Sequence, residues 1–325
     1  MNIDLHRHAG GSITPETVWE IIQSDKKMGN LAESLDDLYR MMTFKDDEKR
    51  NFHHFLKKFN VQNHIMWNEA AIDLTMKQII GDMRKEELEY CELRFSIDKY
   101  LSYIPWDEHE ACLFVLQRID YWAKEFKVKV GPVLSIKYEA SYVTQKRLSK
   151  LVNHWRIAEQ LVGLDLVGNE AMANRKRLRD IYRYWRACGK GLLAHAGESQ
   201  GVENVRMAIQ DLKVNRIAHG IRIVDDPELM ALAKDNGIAF DVAITSNAMT
   251  GVVKGGIGHH PIRKMYEEGL IITIGTDDPV TFCTSLPQEY DLATMHIGRS
   301  HHPSTVKHKL MKASVEHALV PLSQT

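Results

Sequence analysis

Short apolar runs alternate with amphipathic stretches along the whole chain. Eight runs rich in β-branched and aliphatic residues lie at 2–6, 88–96, 128–136, 161–168, 191–196, 216–223, 238–245 and 270–275. Between the runs hydrophobic residues recur at helical spacing, as in Phe52, Phe55, Leu56 and Phe59, which follow an i, i+3, i+4, i+7 pattern. Strands that alternate with helices predict a parallel sheet with right-handed crossovers.

Eight strand–helix units predict an α/β fold of the (β/α)8 TIM barrel type, with a metal site at the C-terminal ends of the strands. A doubly wound open sheet is the alternative. The glycine-rich dinucleotide fingerprint of such sheets is missing after the first run, because Gly10 and Gly11 are followed by Ser12. We interpret residues 1–325 as a single barrel domain, in which a helical insertion over about 15–85 covers the active site.

Composition narrows the class of protein. The 325 residues are 44% hydrophobic and carry a formal net charge of −1, which argues against a non-specific nucleic-acid binder and against a disordered chain. No apolar run approaches the length of about 20 residues that spans a bilayer. Four widely separated cysteines are typical of a reducing compartment. We therefore expect a cytoplasmic protein with no membrane or nucleic-acid partner, and its oligomeric state stays open.

Polar residues gather where the predicted strands end. Four of the runs close with, or are followed by, histidines and carboxylates, namely His6, His8, His195, Glu198, His219, Asp277 and Asp278. In a barrel these strand ends converge. His6 and His8 are two positions apart, so that on a strand both side chains point to one face and can reach one metal ion. Three histidines and one aspartate suit Zn²⁺ with an open position for water.

Each of these features also has a simpler structural interpretation. The two histidines of the first run can be surface residues, and Glu198 can be a helix N-terminal acid that faces the helix dipole. The pair Asp277 and Asp278, followed by Pro279, can be a polar turn. Their occurrence together, in strand order, favours a catalytic site in which Glu198 is a general acid or base.

The ordered motifs resemble the adenosine deaminase family of metal-dependent hydrolases over about residues 3–297. The matching segments are DLHRHAGGSI at 4–13, ELRFS at 92–96, GLDLVGNE at 163–170, HAGE at 195–198, RIAHG at 216–220, TSNAMTG at 245–251, HP at 260–261 and TDDP at 276–279. The resemblance implies hydrolytic deamination of the 6-amino group of adenosine, or of a related adenine nucleoside or nucleotide. A metal-activated water would give the 6-oxo purine and ammonia.

The resemblance also implies which residues do the chemistry. One Zn²⁺ per chain would be bound by His6, His8, His195 and Asp277, although Fe²⁺, Mn²⁺ and Co²⁺ accept similar ligands. Glu198 would donate a proton to the purine N1. His219 would orient or deprotonate the water, and Asp278 would hydrogen-bond the N7 side of the base.

The remaining substrate contacts implied by the resemblance involve Gly168, Phe55 and Phe59. The backbone of Gly168 would meet the purine N3 edge. Phe55 and Phe59 match apolar positions on a helix that walls the family's pocket, and ordinary packing of a helix against the barrel is the alternative interpretation of both.

Gly10 departs from the pattern of adenosine-specific family members, which carry an acidic residue here that contacts the ribose 5′ oxygen. Its absence removes a sugar contact and a charge that would repel a phosphate. Adenine, an N6-substituted AMP and a 5′-modified adenosine are therefore alternative substrates. Two competing functions are a hydrolase of the same superfamily acting on an amide or phosphoester, and a non-catalytic nucleoside-binding protein. Glu198 argues against the first, and the complete ligand set argues against the second.

Overall fold

The computed structural model describes residues 1–24, 28, 31–45, 48, 50–298 and 302–322. Eight parallel strands pair in chain order: β1 (Ile3–His8), β2 (Tyr90–Phe95), β3 (Lys129–Lys137), β4 (Gly163–Val167), β5 (Gly191–Ala196), β6 (Arg216–His219), β7 (Ala239–Val242) and β8 (Ile271–Ile274). The barrel closes between β8 and β1, where the N–H of His8 donates to the carbonyl of Asp277 at 2.8 Å and the N–H of Asp277 donates to the carbonyl of His6 at 2.7 Å. The (β/α)8 barrel prediction is confirmed.

Helices surround the barrel and fill the connections between its strands. They are α1 (Pro15–Ser24), α2 (Leu35–Met42), α3 (Phe52–Lys57), α4 (Asn60–His64), α5 (Glu69–Lys85), α6 (Glu108–Phe126), α7 (Tyr142–Ser149), α8 (Trp155–Gln160), α9 (Arg175–Ala187), α10 (Val202–Arg206), α11 (Pro227–Asp235), α12 (Ile244–Met249), α13 (Ile262–Glu267), α14 (Leu286–Ile297) and α15 (Pro303–Glu316). No helix in the described part of the chain is long and apolar enough to span a bilayer. Helices α1 to α5 occupy the range of the expected insertion, and the single-domain interpretation stays a prediction.

The C-terminal ends of three strands differ by two or more residues from those of the apolar runs, each for a local reason. The first strand extends to His8, because its last residues pair with Asp277. The sixth run stops being a strand at His219, because Gly220 adopts φ 63° and a 3₁₀ turn follows. The seventh run ends at Val242, since α12 starts two residues later.

The expected single helix through Phe52 and Phe59 is wrong. Helix α3 ends at Lys57, and Phe59 precedes the separate helix α4. Lys58 lies in the turn between them, and its ammonium donates to the carbonyl of Thr43 at 2.7 Å. Leu56, expected on the buried face, is 40% exposed. Tertiary contacts override the local period here, and the result is a bent segment that follows the mouth of the barrel.

A buried ionic network fills the lower part of the barrel. The Nε and Nη2 atoms of Arg94 donate to Asp165 at 2.6 Å and to Asp241 at 2.9 Å. Arg216 donates from Nε to the other oxygen of Asp241 at 2.8 Å and pairs with Glu92. Such a network is stabilising only when every member has its partners. Here it also holds Asp165 and Asp241 rigidly beneath the strand ends.

Candidate active site

Four donor atoms converge above the buried network, on β1, β5 and the segment after β8. Oδ1 of Asp277 lies 3.1 Å from Nε2 of His6 and 3.3 Å from Nε2 of His8. Nε2 of His8 lies 3.1 Å from Nε2 of His195. Four ligands placed tetrahedrally around Zn²⁺, with bonds near 2.0–2.1 Å, are about 3.3 Å apart. The spacing of these donors therefore fits a zinc ion.

The other ring nitrogens of two histidines have partners that fix their tautomers. Nδ1 of His6 faces the carbonyl of Asp241 at 3.3 Å, and Nδ1 of His195 faces a carboxylate oxygen of Asp165 at 3.2 Å. Both partners accept, so each Nδ1 carries the proton and each Nε2 presents a lone pair. Nε2 of His6 is buried and has no hydrogen-bond partner. Burial also lowers the pKa of His6 well below its usual value, which keeps the ring neutral.

The backbone of Asp277 closes the barrel, and its side-chain carboxylate points at the histidines. It adopts φ 60°, a left-handed conformation that is uncommon for a residue with a side chain. The hydroxyl of Ser246 donates to Oδ2 at 2.6 Å, and this leaves Oδ1 to face the histidines. One carboxylate oxygen is thus anchored and the other points at the donor cluster.

His219 lies close enough to the other donor atoms to replace His8 as a metal ligand. The ligand atoms of His6, His195, His219 and Asp277 all lie within 4.8 Å of one another. Nε2 of His219 is 3.8 Å from Oδ2 of Asp277. Distances alone therefore admit two ligand sets, which differ in whether His8 or His219 completes them.

Glu198 lies beside this cluster, with Oε2 3.7 Å from Nε2 of His219. Its main chain is held by the buried carboxylate of Glu170, which accepts from the N–H groups of Gly197 at 2.7 Å, Glu198 at 3.0 Å and Ser199 at 2.8 Å. Burial, together with the negative charges of Asp277 and Glu170, raises the pKa of Glu198 well above its usual value. A carboxyl group in this position stays protonated and can serve as an acid.

Asp278 faces the same space and depends on a glycine across from it. A Cβ atom on Gly11 would lie 1.8 Å from Oδ1 of Asp278, so only glycine leaves room for this carboxyl group. Burial and the neighbouring Asp277 raise the pKa of Asp278. The group can therefore donate as well as accept a hydrogen bond.

A cavity of about 390 Å³ opens over these groups. It brings together nearly all of the residues expected in the site, namely His8, Phe55, Phe59, Gly168, His195, Glu198, His219, Asp277 and Asp278. His6 is completely buried and lies beneath the cavity rather than in its wall. The ring of Phe55 packs between Phe282, stacked at 5.2 Å, and Phe59, at 5.2 Å and nearly perpendicular.

Sequence reasoning missed the residues that support the site. Asp165 and Asp241 are the acids within two otherwise apolar runs, and a charge at such a position was the available signal. Glu170 ends the motif GLDLVGNE, but nothing local shows that it accepts from a loop near 198. Ser246 and Asn247 belong to the motif TSNAMTG, whose side-chain partners lie on other elements.

Comparisons with known proteins identify the family and the fold of the chain. The sequence model of the adenosine deaminase family matches residues 2–324. A protein of Shewanella loihica named adenosine deaminase is 28% identical over 305 residues, which cover 92% of this chain and 88% of that one. An adenine deaminase of Arthrobacter aurescens has the same fold, with a TM-score of 0.85 and 18% identity over 98% of this chain and 94% of the other. An Arabidopsis N6-mAMP deaminase superimposes with a TM-score of 0.83 at 22% identity, over 98% and 93% of the two chains. The chain belongs to the adenosine deaminase family.

Proposed function

We propose that this protein is a metal-dependent aminohydrolase that replaces the 6-amino group of an adenine nucleoside or nucleotide with oxygen and releases ammonia. The buried, protonated Glu198 beside the histidine–aspartate cluster carries the proposal. An acid placed there can protonate a purine N1, the step that opens C6 to attack by water. Membership of the adenosine deaminase family supports the same reaction.

The residues that would hold the metal are His6, His8, His195 and Asp277. Their imidazole nitrogens and the one free carboxylate oxygen of Asp277 suit Zn²⁺, and Fe²⁺, Mn²⁺ and Co²⁺ are the alternatives. When bound, zinc would lower the pKa of a water molecule to about 7 and so would supply a nucleophile near neutrality.

Glu198 would drive the chemistry at the purine ring. Its proton moves to N1, which leaves C6 electron-poor and open to attack by the water oxygen. The C6–N6 bond then breaks and ammonia leaves. The proton balance closes because one water proton restores the Glu198 carboxyl group while the other departs with ammonia.

Three groups around the cavity would orient the base. The Asp278 carboxyl group, protonated by burial, would hydrogen-bond the N7 side. The backbone of Gly168 would meet the N3 edge, at a point where φ is 91° and a Cβ atom would lie 2.5 Å from Glu139. Phe55 and Phe59 would pack against the faces of the ring system, which excludes water from the reacting carbon.

The 5′ end of the substrate would lie near Gly10 and Gln62. Nε2 of Gln62 donates to the carbonyl of Gly10 at 2.8 Å, and its Oε1 would be 3.6 Å from a Cβ atom on Gly10. An uncharged amide therefore borders the space where adenosine-specific relatives have an acid. Lys99 and Lys137 line the same cavity, where the ammonium group of Lys137 pairs with Asp98 at 2.5 Å and that of Lys99 lies over the ring of Trp67. We propose that nucleosides and their 5′-phosphates are both accepted.

A substrate panel tests the proposal. The metal-replete protein is incubated with adenosine, deoxyadenosine, adenine, AMP, N6-methyl-AMP and 5′-modified adenosines, and ammonia or methylamine is measured with the ultraviolet change of the purine. Turnover of adenosine or AMP is the expected result. Turnover of adenine alone would place the substrate outside the proposed class, and silence across the panel with metal bound would contradict the proposed reaction.

We also propose that the protein is cytoplasmic, on the basis of its cysteines. Cys91 and Cys112 are fully buried thiols far apart in sequence. Burial raises the pKa of Cys112 to about 12, so this thiol is unreactive. Fractionation of the native cells, with the protein detected by antibody, would test the location.

A further inference from the structure

His219 has a proton whose position decides what the ring can do. The residue ends β6 with φ 61° and is 1% exposed. Nε2 faces the site, 3.7 Å from Glu198 and 3.8 Å from Asp277. If Nε2 bears the proton, the neutral ring donates a hydrogen bond into the cavity; if Nδ1 bears it, Nε2 can bind metal or accept a proton.

A series of hydrogen bonds that begins at a backbone amide determines which nitrogen of His219 bears the proton. The N–H of Ile262 donates to Nδ1 of His260 at 3.1 Å. A backbone N–H only donates, so Nδ1 of His260 holds a lone pair. Burial lowers the pKa of His260 to about 3, so the ring is neutral and its single proton is on Nε2.

Asn247 connects His260 to His219, so that the tautomer of His260 determines which end of the Asn247 amide faces His219. Nε2 of His260 lies 3.1 Å from Oδ1 of Asn247, and since that nitrogen bears the proton it donates. The amide NH2 of Asn247 consequently faces His219 and donates to its Nδ1 at 3.0 Å. All three side chains are at most 4% exposed, so water does not compete for these bonds. The proton of His219 is therefore on Nε2.

We infer that Asn247 and His260 are positioning residues, which hold His219 as a fixed hydrogen-bond donor into the cavity and exclude it from the metal ligands in its neutral form. His8 then completes the ligand set. The inference rests on the proposed function only in naming the receiver of that hydrogen bond, the oxygen of the attacking water. A hydrogen bond from Nε2–H would fix the position of that oxygen in the cavity.

The opposite tautomer of His219, with the proton on Nδ1, is disfavoured by each hydrogen bond between Ile262 and His219. It would require the Asn247 amide to rotate, so that Oδ1 accepts from Nδ1 of His219 and the NH2 group faces His260. His260 would then have to accept at Nε2 and carry its proton on Nδ1. That proton would oppose the N–H of Ile262, and two buried donors would face each other.

The decisive variant is Asn247→Asp, which keeps the size of the side chain and removes its donor. A carboxylate at this position accepts the proton of Nδ1 and so reverses the tautomer of His219. The readout is nitrogen-15 NMR of the zinc-loaded protein with labelled histidine, in which the His219 signals are assigned by their loss in His219→Gln. We expect a proton on Nε2 in the wild type and on Nδ1 in Asn247→Asp, with kcat reduced about 100-fold, KM little changed and zinc content unchanged.

Variants of His260 provide the rescue test and the control. His260→Leu removes the donor to Asn247 and should lower kcat at least about 10-fold, whereas His260→Gln restores a donor near the Nε2 position and should recover most of that loss. The adjacent, exposed His259 is the matched control, and His259→Gln should behave like the wild type.

A proton on Nδ1 of His219 in the wild-type protein would overturn the inference, as would an unchanged tautomer in Asn247→Asp. The NMR result does not depend on turnover. If no purine is deaminated while the tautomers behave as described, the proposed function fails and the positioning role stands.

Discussion

The carboxylate of Glu170 accepts the backbone N–H of Glu198 at 3.0 Å, so one buried acid holds the main chain of another. The same carboxylate also accepts from Gly197 and Ser199. Its negative charge therefore both fixes the loop that follows β5 and contributes to the raised pKa of Glu198. The position of the candidate acid, and part of its raised pKa, therefore depend on one side chain from the β4 side of the barrel.

Glu170→Gln should reduce activity strongly, although the substitution keeps the size and shape of the side chain. One carboxylate oxygen becomes an NH2 group that opposes a backbone N–H, and the loop carrying Glu198 shifts. We expect kcat to fall about 100-fold and the free energy of unfolding to fall by about 2 kcal/mol. Steady-state kinetics and urea denaturation measure the two effects. Glu203→Gln, at an exposed site, is the control, and equal behaviour of the two variants would refute this role.

The pH dependence of turnover should follow the protonated form of Glu198. Burial and then the charges of Asp277 and Glu170 raise its pKa, so the active acid is present at neutral pH and is lost as the pH rises through the raised value. The kcat profile should therefore have an alkaline limb. In Glu170→Gln one of the charges that raises the pKa is gone, and the limb should move to lower pH. A limb that moves upward or stays in place would show that Glu198 does not control it.

Gly11→Ala should lower activity although it replaces none of the residues proposed to take part in the chemistry. The new methyl group would lie 1.8 Å from Oδ1 and 2.1 Å from Cβ of Asp278, so Asp278 must move. We expect kcat/KM to fall about 100-fold. Gly10→Ala is the matched control, because its nearest neighbours would be 3.6 Å away, at ordinary contact distance. Similar kinetics for the two alanine variants would mean that Asp278 does not orient the substrate.

Gly10→Asp should change the choice of substrate. A carboxylate beside Gln62 would accept from a ribose 5′-hydroxyl and repel a 5′-phosphate. The ratio of kcat/KM for adenosine to that for AMP should rise at least about 10-fold, equivalent to ~1.4 kcal/mol. Gly10→Asn adds similar bulk without charge and should leave the ratio near that of the wild type. An unchanged ratio in Gly10→Asp would place the 5′ end of the substrate elsewhere.

The strand-end residues could be predicted from sequence because their position depends on a simple rule. His6 and His8 share a face through the two-residue period of a strand, and parallel strands bring their C-terminal ends together. The position of Asp277 could be predicted for the same reason, because it follows the eighth strand. The barrel itself followed from eight repeated strand–helix units, which is why the topology was right even where single boundaries were wrong.

The supporting residues could not be predicted, because their roles depend on contacts between distant elements. Gln62 bonds to a carbonyl 52 positions away, and Asn247 to a histidine 28 positions away. A polar residue on a short helix has the same local signature whether it faces solvent or a buried partner. The break in the helix between Phe55 and Phe59 has the same origin, since aromatic stacking on Phe282 is a tertiary contact.

The most direct test of Glu198 as the general acid compares the wild type with Glu198→Gln in one experiment. Both proteins are loaded with Zn²⁺, their metal content is measured by elemental analysis, and ammonia release from adenosine and AMP is followed in the same samples. We predict equal zinc content and a loss of kcat of about 10²–10⁴-fold in the variant, the range expected when a general acid is removed. Deamination at the wild-type rate by zinc-loaded Glu198→Gln would show that Glu198 is not the general acid.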